Sequence, residues 1–308
     1  GSVTGMWGEK AMLDNCTLCP RECHADRLHG KAGVCGVSGS GILGARAALH
    51  MWEEPCISGE TGSGAVFFSG CPLQCVYFQN YAIAHGEAGK EISVGRLAEI
   101  FLELQEKQAA NINLVTPTHY TPQIIEAVTL AQAQGLAIPI VYNCGGYEKL
   151  RTRRMLDGIV DIYLTDFKYM EPETARRYSH APDYPAVVKA ALSEMVRQTG
   201  DAQFSENGMM RRGVIVRHLL LPGHLKEAKA VVSYVHETYG DQVFLSLMNQ
   251  YTPLPQVKNW PEINRRVTKR EYDRLVDHAV AIGVENGFIQ EGETAKESFI
   301  PPFDNEGV

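Results

Sequence analysis

The chain has 308 residues, is 44% hydrophobic and 21% charged, and carries a formal net charge of −7. A chain of that length buries roughly 75% of its unfolded surface without cross-links, and the composition excludes disordered, collagenous and coiled-coil classes. The acidic balance gives no global attraction to nucleic acid or anionic membrane. No apolar run reaches the ~18 residues of a spanning helix and no leader pattern opens the chain, so a cytoplasmic globular protein is expected.

Residues 1–60 are rich in Cys, Gly and charge, and read as a Cys-rich N-terminal extension on a main domain of residues 61–308. Four of the eight cysteines lie early in it, as Cys16-x2-Cys19-Pro20-x2-Cys23-x11-Cys35. In a reducing compartment, tight spacings point to metal binding or catalysis before disulfides. These four thiols suit a zinc site or an iron–sulfur cluster, with Gly30, Gly33 and Gly36 supplying turns. Four free, partly buried thiols are the plainer alternative. Further on, His50, Glu53, Glu54 and Cys56 invite a mixed metal site, against a plainer role in bonding neighbouring backbone.

From residue 64 onward, apolar runs alternate with amphipathic segments. Strands are expected at 65–69, 112–116, 139–142, 159–165, 214–221 and 243–248, with 287–289 as one more. The first helix, 94–108, places Leu97, Ile100, Phe101 and Leu104 on one face. A second covers 124–134, preceded by a capping Thr121 and Pro122 and ended by Gly135. Others follow at 171–178, 184–199, 225–239 and 269–282, and 200–212 reads as an exposed excursion. This alternation predicts parallel strands with right-handed crossovers. Both an open doubly wound sheet and a partial (β/α) barrel satisfy it. Unusual residues gather where strands end: Gly70-Cys71, Thr116-Pro117-Thr118-His119, Asn143-Cys144-Gly145-Gly146, Asp166-Phe167-Lys168 and Asn249-Gln250-Tyr251. A barrel builds its active site at those ends, which favours the barrel.

The sharpest segment is Ser69-Gly70-Cys71-Pro72-Leu73-Gln74-Cys75-Val76-Tyr77-Phe78-Gln79-Asn80. Thiolates spaced by three and then two residues fold around one corner of an iron–sulfur cube. The segment resembles the cluster loop of radical S-adenosylmethionine (SAM) enzymes of the pyruvate formate-lyase activating enzyme-like branch, which carry Cys-x3-Cys-x2-Cys followed by Gln-Asn. Other stretches resemble the same branch: His50-x2-Glu53-Glu54-Pro55-Cys56, Asn113-Leu114-Val115-Thr116-Pro117-Thr118-His119, Asp166-Phe167-Lys168-Tyr169, Val216-Arg217-His218-Leu219, Gln250-Tyr251-Thr252-Pro253 and Glu285-Asn286-Gly287-Phe288-Ile289-Gln290. Together they cover most of the chain.

The resemblance implies an α/β fold, a partial (β/α)6 barrel of the radical SAM type behind the Cys-rich extension. It implies a 4Fe-4S cluster on Cys71 and Cys75, and S-adenosyl-L-methionine bound by Thr116, Thr118, Asn143, Asp166, Lys168 and Arg217. In that family the cluster's free iron chelates the cofactor, and reduction releases a 5′-deoxyadenosyl radical that abstracts hydrogen. Oxidoreductase or lyase chemistry follows, with a reductant such as flavodoxin or ferredoxin. The substrate is a protein or a small molecule, and a protein glycine if the branch name is a guide; nucleic acid and membrane are not expected as partners.

Several of these residues have plainer readings beside the implied ones. Asp166 and Lys168 point to one side of a strand and meet the cofactor ribose or amino-acid moiety, or else form a structural ion pair. Arg217 offers a fork suited to the cofactor carboxylate, while His218 faces the helix side. Thr116 and Thr118 accept the cofactor ammonium or cap a turn. His119 reads chiefly as structural, and Cys144 as an inert buried thiol. Asn249, Gln250 and Tyr251 line the substrate mouth by resemblance.

The motif is broken at Phe78, where the family has its third cysteine and this chain has a ring with no lone pair to offer. Two thiolates hold such a cluster poorly. Three readings stand: a descendant without a cluster, serving as a metal- or partner-binding scaffold; an alteration of a normal ligand position; or a cluster kept by a substitute ligand, Cys56 or Cys144.

Overall fold

The structure, a computed structural model, describes residues 13, 16–27, 31–37, 41–78, 86, 89–290 and 305–308. Gly30, Gln79 and Asn80 lie outside them. The fold is mixed α/β around one mostly parallel sheet, in the order β10-β9-β8-β6-β5-β4-β2-β1-β3, with β7 paired to β8. The strands are β1 (Ile42–His50), β2 (Ser63–Phe68), β3 (Lys90–Ile92), β4 (Ile112–Val115) and β5 (Ile140–Cys144). They continue with β6 (Ile162–Asp166), β7 (Gln203–Phe204), β8 (Met210–Leu219), β9 (Phe244–Met248) and β10 (Gly287–Ile289).

Strands β2, β4, β5, β6, β8, β9 and β10 run parallel, each to the next. Their C-terminal ends therefore share one edge of the molecule. Every residue of β2 is buried, as expected for a parallel strand covered on both faces. Helices fill the crossovers: Val94–Glu106, Thr121–Ala133, Pro172–Ser179, Tyr184–Thr199, Leu225–Tyr239 and Lys269–Ala281. Their ends follow local chemistry. Ser93 accepts a hydrogen bond from Arg96 N at the first, and Thr268 forms a reciprocal capping box with Glu271 at the last. The second helix differs in detail from its expected start. Thr121 is already its first residue, and the Thr121 hydroxyl donates back to Thr118 O at 2.8 Å.

Three antiparallel strands were not expected. The strand β1, inside the segment read as an extension, pairs with β2 from Gly44↔Phe68 to His50↔Ser63, and β3 pairs with β1. Its sequence, ILGARAALH, is dominated by small residues and weak in the β-branched and aromatic types that mark strands. The excursion at 200–212 contains β7, which turns back antiparallel onto β8.

Strand alternation sorts side chains between the two faces of the sheet. On one face Val141, Ile162, Leu164 and Ile215 pack with Cys56 and Ile57 of the short helix Pro55–Ser58. On the other, Tyr142, Tyr163, Val214 and Val216 join the core formed with the helices. Asp166 and Arg217, two residues beyond Leu164 and Ile215, thus belong to the first face. They stand side by side in register.

Candidate cofactor site

The chain leaves β2 at Phe68 and turns directly into the loop that carries Cys71 and Cys75, both buried and both free thiols. Neighbouring elements hold this loop in place. His119 Nε2–H donates to Ser69 O at 2.7 Å, and burial drives that imidazole's pKa down to about 3, so it stays neutral. Arg21 donates to Pro72 O at 3.0 Å, Leu73 O at 3.1 Å and Ser179 O at 2.6 Å, and also to His180 O. Ser179 Oγ–H in turn donates to Cys75 Sγ at 3.1 Å. The hydroxyls of Tyr77 and Tyr169 pair at 2.8 Å beside the same sulfur. Burial, then the neighbouring Cys75, pushes the Cys71 thiol up to about 11.

The β5 and β6 ends close on this loop. Lys168 Nζ pairs with Asp166 Oδ2 at 2.9 Å and lies 5.9 Å from the Tyr77 ring centre. A side chain on Gly145 would meet Lys168 Cε at 3.6 Å and Leu73 Cδ2 at 3.8 Å, so the three segments adjoin. Gly146 has φ +85, and a Cβ there would stand 2.4 Å from Asp166 O. Only glycine allows that approach. Tyr184 fastens both strand ends: its hydroxyl donates to Gly145 O at 2.8 Å and accepts from Lys168 N at 2.9 Å. Thr116, the residue after β4, has φ +55, and its N–H donates to Asn143 O at 2.8 Å. A left-handed β-branched residue is strained, and such strain concentrates at functional sites. Cys71, Cys75, Gly145, Gly146, Asp166 and Lys168 are thus brought together as one group, with Asn143 and Thr116 joined by backbone beside it.

Two of the residues expected at the cofactor are otherwise engaged. Thr118 is buried, and its hydroxyl donates to Glu148 Oε1 at 2.5 Å. Glu148 is the buried ion-pair partner of Arg153 at 2.8 Å, so Thr118 serves a core network. Arg217 does not stand free for a cofactor carboxylate. Its Nε and Nη2 fork onto the two Glu54 oxygens at 2.7 Å each, and it also pairs with Glu53. The cause is the turn into the short helix Pro55–Ser58: Glu54 is its N-cap and Glu53 the residue before, which brings both carboxylates to Arg217. Burial disfavours the Glu54 carboxylate, and Arg217 overcomes it, holding that carboxyl below its usual range. His50 Nε2 lies 3.6 Å from Glu53 Oε1, so His50, Glu53 and Glu54 gather around an arginine. Among the described residues no three His, Cys, Asp or Glu side chains converge on an ion. His218 faces the helices and donates to Phe167 O at 2.7 Å, as expected.

Phe78 stands at the third motif position of the loop, where a 4Fe-4S cluster would take its third thiolate. Phe78 N–H donates to Cys75 O at 3.1 Å, which places residue 78 on the turn of the second cysteine. The Phe78 ring packs between the core containing Cys71 and Cys75 and the group Ala45, Ala65 and Phe67. Neither proposed substitute replaces the missing thiolate. Cys56 packs under the sheet with Val141 and Ile215. Cys144 faces Thr165, its Sγ 3.6 Å from the Thr165 Oγ1. The residues present supply two thiolates and do not fit a three-thiolate cluster.

No family model matches the chain. It is 27% identical over 282 residues to the uncharacterized protein MJ0674 of Methanocaldococcus jannaschii, covering 88% of this chain and 75% of that protein. Among solved structures it is similar to Streptococcus suis SuiB bound to the precursor peptide SuiA, with 12% identity, a TM-score of 0.49 and coverage of 72% of this chain and 46% of that one. SuiB bound to S-adenosylmethionine gives 11% identity and a TM-score of 0.49, over 74% of this chain and 50% of that one. The chain spans about half the length of these SuiB chains.

Proposed function

We propose that the chain is a radical SAM protein of the activating-enzyme-like branch, built on a partial (β/α)6 barrel, whose cluster loop is one thiolate short. One observation carries this reading. Cys71 and Cys75 are buried on the first loop beyond a parallel strand, and Lys168, Asp166 and the Gly145-Gly146 turn adjoin that loop. Polar groups from several strand ends around a reactive loop are how such sheets hold ligands. When bound, the cofactors of this class supply an organic radical, and the protein orients them and excludes water.

The chain's own residues divide that work. Gly146 allows the backbone to pass close, Lys168 and Asp166 present opposite charges at one edge, and Tyr184 fixes the two strand ends against each other. Asn143 and Thr116 border the same edge.

A second reading, a scaffold without radical chemistry, is favoured by Phe78 alone. Anaerobic incubation of the parent and Phe78→Cys with iron, sulfide, SAM and dithionite separates the two. The first reading predicts 5′-deoxyadenosine from the Phe78→Cys chain and little from the parent. Absence of product from both, with SAM unbound by calorimetry, would leave the scaffold reading.

A further inference from the structure

The segment 16–37 has little apolar core of its own. Leu13, Cys16 and Leu18 pack together with Cys23 against them, while Cys35 and Val37 join the core of the main domain. Polar contacts fasten it to the main domain: Thr152 Oγ1–H donates to Leu18 O at 2.6 Å, and Lys149 Nζ to Thr17 O at 3.3 Å. A chain so poor in buried apolar surface needs another source of order.

Its backbone folds the cysteines inward. Cys16 N–H donates to Ala25 O and His24 N–H to Cys16 O, both at 3.0 Å, and Glu22 N–H closes a turn on Cys19 O at 3.0 Å. Gly33 then brings the last cysteine in. A Cβ on Gly33 would lie 3.0 Å from Cys23 Sγ and 3.6 Å from Cys35 Sγ, so one small volume touches both sulfurs. All four thiols are free, and among the described residues no three of them close on a single point.

Arg27 supplies an independent observation. Its side chain is fully buried. Nη1 donates to His119 O at 2.7 Å and reaches Cys16 Sγ at 4.0 Å, while Nε and Nη2 have no hydrogen-bond partner among the described residues. The guanidinium also lies 5.6 Å from the Tyr120 ring centre. Among the described residues no carboxylate pairs with it, and neutral thiols do not compensate a buried cation. Four metal-bound thiolates do, because such a centre keeps net negative charge and accepts hydrogen bonds at sulfur.

We infer that Cys16, Cys19, Cys23 and Cys35 hold a thiolate-bound metal centre, separate from Cys71 and Cys75, whose negative charge faces Arg27. Zinc and an iron–sulfide core share this chemistry. Cys71 N–H donates to Cys35 O at 3.2 Å, so the centre also clasps the first turn of the loop 69–78. The inference stands apart from the radical SAM reading, because it needs neither SAM nor residue 78.

The test uses the full chain with Cys71→Ser and Cys75→Ser, which empties the other loop. One arm adds zinc alone to chelator-treated protein; the other adds iron and sulfide anaerobically; metal and sulfide are counted after desalting. About one zinc, or about four irons with sulfide, is expected per chain, and either result names the metal. Cys19→Ser with Cys35→Ser abolishes retention, and Arg27→Met weakens it at least roughly tenfold, as loss of a supporting partner does. Cobalt(II) titration of the chelator-treated parent should give thiolate charge-transfer absorption, a readout that needs no variant. Failure to retain either metal without that absorption, or full retention after loss of Cys19 and Cys35, would overturn the inference. Unchanged affinity in Arg27→Met would remove the charge argument.

Discussion

Gly146→Ala tests whether the β5 and β6 ends are packed as described. The new methyl would enter a left-handed position at φ +85, 2.4 Å from Asp166 O and 2.9 Å from both Tyr184 Oη and Val188 Cγ2. The backbone strain costs roughly 1–2 kcal/mol, and forcing apart a packed contact adds roughly 1–3 kcal/mol. Gly158 is the internal control, since it has a similar φ of +81 with nothing within 4 Å of its Cβ position. Gly158→Ala should carry the strain alone. In thermal melts Gly146→Ala should lose roughly 4–10 °C and Gly158→Ala about half or less, at a few degrees per kcal/mol for a chain of this size. SAM affinity, measured by calorimetry on the Phe78→Cys background, should fall only in Gly146→Ala, because that change displaces the Asp166 carbonyl and Lys168. Equal losses of stability in the two alanine variants would refute the close approach of Gly146 to Asp166.

Two further predictions address buried charge. His119 is held near a pKa of about 3, against an ordinary value of 6.5, by burial. A depressed base is protonated first in the unfolded chain, so its contribution is whole above pH 6.5 and is lost as pH falls toward 3. Urea unfolding at pH 7 and pH 5 should show the parent losing roughly 2 kcal/mol more than His119→Gln, at about 1.4 kcal/mol per pH unit; equal losses would contradict it. Arg217→Met should destabilise by roughly 3 kcal/mol or more, because Glu53 and Glu54 stay buried without their cation. Adding Glu53→Gln and Glu54→Gln should recover much of the loss, and simple additivity in thermal melts would count against the cluster.

Much of the architecture is legible in the sequence because its strands and helices carry their own periodicities. The run Ala65–Phe68 and the helix Tyr184–Thr199 need no tertiary information to be recognised. What failed was tertiary in origin. The strand β1 is defined by its partners β2 and β3 more than by its small residues. Arg217 has an informative place on its strand, yet its partners lie more than 160 residues away in the chain. The same holds for Ser179, whose hydroxyl reaches Cys75 across 104 positions, and for Arg21, which binds both segments. The Cys loop was legible because its residues are contiguous and chemically scarce. The ion pair Asp166–Lys168 was legible because strand alternation puts both on one side.

Iron bound per chain in the parent and in Phe78→Cys tests the central claim most directly. Both proteins should carry Cys16→Ser, Cys19→Ser, Cys23→Ser and Cys35→Ser, so that only the loop 69–78 is counted, and both are reconstituted anaerobically with iron and sulfide. The account predicts about four irons with matching sulfide in the Phe78→Cys chain, and well under one in the parent, where the loop offers two cysteines and Phe78 stands at the third position. Equal iron in the two chains would contradict it: a full complement in both would mean that position 78 is not the missing ligand, and none in both would mean that this loop is not a cluster seat.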